Sequence, residues 1–82
     1  MFYPTVGIDV AKHTLQAALL LNGKLKQKSC PNTPVGFKQL LDWLERHAGS
    51  TVHACLEATG RYHEGVASAL HEAGYTVSVL NP

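Results

Sequence analysis

The chain has 82 residues, 45% of them apolar, with seven Lys and Arg against six Asp and Glu. That length allows one domain of marginal stability; the near-neutral charge gives no basic excess that would alone announce nucleic acid, and no apolar run approaches the ~20 residues that span a bilayer. The start, MFYPTVG, lacks the basic and apolar regions of a signal peptide, and Cys30 and Cys55 lie far apart without a CxxC spacing, so the cytoplasm is the expected compartment and neither a disulfide framework nor a zinc knuckle is expected.

Alternation of residue type predicts strand 1 around Val6, Ile8 and Val10, with Thr5, Gly7 and Asp9 on the other side. After a break at Ala11 and Lys12, Leu15, Ala17, Leu19 and Leu21 share one face of strand 2. Asn22-Gly23 predicts a type I′ hairpin, because both residues tolerate positive φ, and Lys24 to Cys30 completes an antiparallel meander as strand 3. Thr33 is the expected N-cap of helix 1, with Pro34 at its first position, where a missing N–H costs nothing. Phe37, Leu40, Leu41 and Leu44 form its buried stripe, Trp43 falls at the stripe's margin and is expected to be half covered, and Gly49 lies just past the end.

Thr51 to Glu57 reads as strand 4, with Val52, Ala54 and Leu56 opposed to His53, Cys55 and Glu57. ATGRYHEG breaks it and leads into helix 2, about Tyr62 to Ala73, whose narrow stripe is Val66, Ala69, Leu70 and Ala73. Gly74 is the C′ residue, strand 5 follows from Tyr75 to Leu80, and Asn81-Pro82 is a turn signal. The order β-β-β-α-β-α-β implies an α/β fold with a mixed five-stranded sheet, order 3-2-1-4-5. Right-handed crossovers then place both helices on one face. The other face would carry Asp9, His53, Cys55 and Glu57, with Thr5 and Gly7.

An acid in mid-strand is unfavoured unless it is paired or bound. Asp9 lies within strand 1 and Glu57 at the carboxyl end of its expected neighbour, so both project from the uncovered face. Two converging carboxylates suit a hard divalent cation such as Mg²⁺ or Mn²⁺, and a two-ion site of this kind serves phosphoryl transfer. Glu57 alone at a strand end would be unremarkable, since such acids are commonly just solvated. Lys12 and Arg61 flank the two acids, and Thr59 and Gly60 open the turn before helix 2, where backbone N–H groups can meet a phosphate. These four are the candidate DNA contacts, but a tight turn, with Tyr62 packed on the sheet end, is the favoured account of the glycine, and lone basic residues more often simply face solvent. The five histidines scatter over different elements without metal-ligand spacing, and both cysteines read as small buried hydrophobes.

VGIDVAKHTLQAALL, NTPVGFKQLLDWL and LEATGRYHEGVASALHEAGYTVSVLNP, in that order, resemble the N-terminal part of the DEDD-type insertion-sequence transposases, the family that includes the pilin-gene-inverting recombinases. The resemblance covers nearly the whole chain and is most specific in GIDVAK, E-x-TG-x-Y and the closing NP. It implies a ribonuclease-H-like fold similar to RuvC-type resolvases, with Asp9 and Glu57 as the first two catalytic and metal-binding acids. It further implies two aspartates beyond Asn81-Pro82 and a C-terminal domain bearing a nucleophilic serine. Residues 1–82 would then be the N-terminal portion of one catalytic domain, inactive by itself. The implied function is metal-dependent phosphoryl transfer on DNA for insertion-sequence mobility, with DNA as partner, a guide non-coding RNA in some members, and self-association.

Two other classes fit parts of the pattern. An actin-like sugar kinase or ATPase lobe also opens with a strand bearing G-I-D, but resembles D-x-G-[ST] thereafter, and Ala11 and Lys12 stand where the glycine and hydroxyl would be. A non-catalytic module that dimerises through the open sheet face is the third reading.

Overall fold

A computed structural model describes residues 4–49, 51–58 and 60–80. Its elements are β1 (Thr5–Val10), β2 (Thr14–Leu21), β3 (Lys24–Pro31), α1 (Pro34–Ala48), β4 (His53–Glu57), α2 (Glu64–Glu72) and β5 (Thr76–Leu80). The sheet order is β3-β2-β1-β4-β5. β1 to β3 pair antiparallel, and β4 and β5 run parallel to β1. The expected architecture is therefore the observed one. Asn22 and Gly23 have φ of 53° and 76°, the paired positive angles that a type I′ turn requires.

Alternate residues of β1 and β2 are buried and belong to a single core with Leu40 and Leu44 of α1, Leu56 of β4 and Val66 and Leu70 of α2. Both helices thus cover one face, and no polar or charged residue is buried among the described residues. The start of α1 is fixed twice. The Thr33 hydroxyl accepts from the Gly36 N–H at 3.2 Å, satisfying one of the helix's orphan donors. Gly36 is itself buried where a Cβ would collide with the Pro31 carbonyl oxygen, so the chain can cross over the helix start only because that side chain is absent.

Several boundaries and neighbours differ from the sequence expectation. The buried stripe of α1 runs through Gly36, Leu40, Trp43 and Leu44, with Phe37 and Leu41 partly covered. Trp43 is not half covered but buried, its ring edge-on to His47 at 5.6 Å between centroids. α2 begins at Glu64 rather than Tyr62 because residues 60–63 form a turn, in which Gly60 has φ 61°. Tyr62 is exposed rather than packed on the sheet end, and Ala73 lies outside the α2 stripe. β4 starts two residues later than expected, and β5 one. Cys30 is buried as expected, whereas Cys55 is only half-buried, because it sits on the face no helix covers. Thr59 and Asn81-Pro82 lie outside the described residues.

Burial pushes the Cys30 thiol above its usual value of 9.0, opposed by the charge of Lys28. Burial, aided by Glu45, pushes the Tyr75 phenol above 10.0, and that hydroxyl donates to the Gly49 carbonyl at 3.3 Å. Both groups are held neutral in the folded state and ionise more readily when unfolded, so above their unfolded pKa values the unfolded chain binds fewer protons and stability falls. Thermal unfolding should give a melting temperature that is level up to about pH 9 and declines above it. Cys30→Ala should move the onset toward pH 10, and adding Tyr75→Phe should flatten the curve further. An unchanged decline in the double variant would assign it to other groups.

Candidate functional site

The parallel pairing of β1 with β4 places Gly7 beside Cys55 and Ile8 beside Leu56. The next residue on each strand is an acid, so Asp9 and Glu57 follow abreast on strands about 4.8 Å apart. Strand alternation turns both away from the helices, and both are exposed. Among the described residues neither carboxylate has a hydrogen-bond or ion-pair partner; the ion pair found there joins Lys38 and Asp42 at 3.6 Å.

The two acids line one open concavity of about 510 Å³. Its floor is made of small groups, Gly7 and the Ala18 paired with it, with Cys55 on the other flank. Gly7 has nothing within 4 Å of where a Cβ would stand, so packing among the described residues does not demand a glycine there. Two amides also line it: Gln16, the cross-strand neighbour of Asp9, and Gln27 on β3. His53, also on this face, is engaged by Ser78, with 2.7 Å between Nε2 and Oγ.

Lys12, Gly60 and Arg61 are exposed and do not line the concavity; the fourth candidate DNA contact, Thr59, is not described. The loops that carry them are nevertheless clamped together. The Asn32 side-chain amide donates to the Ala11 carbonyl at 2.8 Å and to the Tyr62 carbonyl at 3.0 Å, so Lys12 and Arg61 each sit one residue from a carbonyl held by the same amide. Asn32 was missed in the sequence because an Asn beside Pro31 and Pro34 reads as an ordinary turn residue.

The two carboxylates, unpaired among the described residues, are oxygen donors of the kind a hard divalent cation prefers, with the Cys55 thiol on the flank of the same hollow. No group of three or more His, Cys, Asp or Glu converges among the described residues.

If the two carboxylates stand abreast, they repel one another, since like charges directly opposite in a sheet are destabilising. Asp9→Asn and Glu57→Gln should each leave folding unimpaired or slightly stabilised in urea unfolding. Together they should gain less than the sum of the single changes, with a coupling of about 0.2–1 kcal/mol at low salt. Strictly additive effects would place the side chains apart.

The sequence matches the family described as transposase, of the DEDD IS110 type, over residues 6–82. It is 34% identical over 79 residues to the pilin gene-inverting protein of Moraxella bovis, covering 94% of this chain and 24% of that protein. The chain thus spans about a quarter of the length of that relative. Among solved structures, the fold is similar to Thermus thermophilus RuvC in complex with a Holliday junction substrate, with TM-score 0.69 and 16% identity over 99% of this chain and 66% of that one. YeaZ from Pseudomonas aeruginosa gives 0.68 and 17% over 98% and 43%. At such identities the structural likeness shows a RuvC-like, ribonuclease-H-like fold and nothing more. The family match and the sequence identity carry the assignment: this chain belongs to the IS110-type DEDD transposases.

Proposed function

We propose that residues 1–82 form the N-terminal portion of a RuvC-like catalytic domain that carries out metal-dependent phosphoryl transfer on DNA, in transposition or site-specific recombination. The observation that carries this reading is the adjacent, unpaired, same-face placement of Asp9 and Glu57. In this reading the two carboxylates hold Mg²⁺ or Mn²⁺ together with further acids outside the chain. The bound ion would neutralise charge developing on the phosphate oxygens and lower the pKa of an attacking water or hydroxyl.

The chain's own residues then have distinct tasks. Asp9 and Glu57 present oxygen ligands from rigid neighbouring strands, which fixes their separation better than loops would. Lys12 and Arg61, on loops tied by Asn32, meet phosphates on either side of the scissile bond, and the turn at Gly60 offers backbone N–H groups to the same strand. Because β1 and β4 run parallel, Lys12 and Arg61, in the segments that follow them, belong to the carboxyl end of the sheet in this reading. With two acids alone the portion binds metal weakly and does not cleave DNA. The exposed cross-strand pair Leu20–Leu25 on the open face supports self-association or coverage by further chain.

In the full-length protein, Asp9→Asn and Glu57→Gln should each lower Mg²⁺-dependent strand transfer on supercoiled DNA by at least about 100-fold, as loss of several kcal/mol of charge stabilisation requires. DNA affinity in EDTA should be unchanged. Near-wild-type strand transfer by Asp9→Asn would overturn the reading.

A further inference from the structure

The carboxylate concavity occupies one face of the sheet, and the largest concentration of positive charge lies on the other. Along β3 the side chains that share the orientation of the buried Cys30 are those of Lys24, Lys26 and Lys28. α1 covers the Cys30 end of this strand, whereas Lys24 and Lys26 are exposed and Lys28 half-buried. Arg46, in the last turn of α1, joins Lys28 around a hollow of about 190 Å³ whose remaining walls are Gln39, Asp42 and Trp43. Four of the chain's seven Lys and Arg residues therefore fall on this surface.

Little on the protein neutralises them. Among the described residues none of the four is in an ion pair. Asp42 is partly committed to Lys38, and Glu45 lies within electrostatic reach of Tyr75, at the far side of α1. Alternate strand residues are about 6.8 Å apart, on the order of the through-space separation of successive phosphates on one strand. A row of three ammonium groups with this spacing can follow a phosphodiester backbone, and the hollow between Lys28 and Arg46 has room for one phosphate.

We propose that Lys24, Lys26, Lys28 and Arg46 form a second DNA-binding surface, which grips the backbone of a duplex segment other than the strand processed at Asp9 and Glu57. The assignment of DNA rests on the function proposed above, but the surface is separate, with the sheet between it and the acids. Strand transfer joins two DNA segments, and a second binding face lets one subunit grip the segment that it does not process.

The competing role for these lysines is to guard an edge strand against pairing with another sheet. A guard needs charge of either sign; a phosphate grip needs positive charge. The test measures binding of the full-length protein to a fluorescent DNA duplex by anisotropy at several salt concentrations, in EDTA so that the carboxylate site contributes no metal. The triple variant Lys24→Gln, Lys26→Gln, Lys28→Gln should flatten the slope of log K against log salt by about 2.7, at about 0.9 for each phosphate no longer neutralised, and each single change by about 0.9. The corresponding triple Glu variant should keep wild-type sedimentation and circular dichroism while binding DNA more weakly than the Gln variant. An unchanged slope in the Gln variants, or wild-type binding by the Glu variant, would leave only the edge guard and overturn the proposal. Tenfold tighter binding of an RNA duplex of the same length, abolished in the same variants, would overturn the assignment to DNA. None of these outcomes depends on metal binding by Asp9 and Glu57, so the two readings fail separately.

Discussion

The register between β1 and β4 is the constraint on which the rest of this molecule depends. Ile8 lies beside Leu56, and both are buried against the helices. A slip of one residue would turn a whole strand's apolar set toward solvent, so burial on one face locks the pairing. The same lock fixes what happens on the other face, where the next residue of each strand is a carboxylate. The helices lie across the sheet from the acids, yet their packing sets the acids' separation.

That division explains how an 82-residue chain tolerates unfavourable choices. The helix side follows the rules of stability throughout: a single apolar core, a capped helix, and a glycine where the chain passes too close for any side chain. The open side departs from them, with a mid-strand aspartate lacking a partner among the described residues, a strand glycine without a packing reason there, and three exposed leucines, Leu20, Leu25 and Leu80. Local inconsistencies of this kind collect where function is carried. The similarity of this fold to both RuvC and YeaZ shows the fold alone, and a shared fold does not by itself fix a function.

Much of this was legible before the structure. Period-two alternation gave strands 1, 2 and 4 their faces, Asn22-Gly23 gave the hairpin, and Thr33-Pro34 gave the helix start, because each is a local property of the chain. What stayed hidden depends on tertiary placement. Trp43 is buried because α1 is rotated so that Gly36 faces Pro31, which brings the indole into the core, and no periodicity in α1 reveals a close approach by β3. Tyr62 is exposed because the turn at Gly60 delays α2. Gln16 was overlooked since a polar residue on the outer face of a strand is ordinary, and only the register makes it the neighbour of Asp9. Asn32 was passed over for a similar reason, as both carbonyls it binds belong to distant loops. The positions of Asp9 and Glu57 followed from parity and strand order, which is why the centre of the candidate site was readable and its walls were not.

The central claim is that Asp9 and Glu57 bind one cation between them. Adding substoichiometric Mn²⁺ to the isotope-labelled chain and recording its NMR spectrum tests this directly, because the paramagnetic ion broadens signals nearest to it. The account predicts that the resonances of Asp9, Val10, Glu57 and Ala58 broaden together and first, and that Asp9→Asn removes the effect at Glu57 as well. Broadening centred instead on histidines away from the sheet edge, such as His47 or His71, with Asp9 and Glu57 sharp, would contradict it.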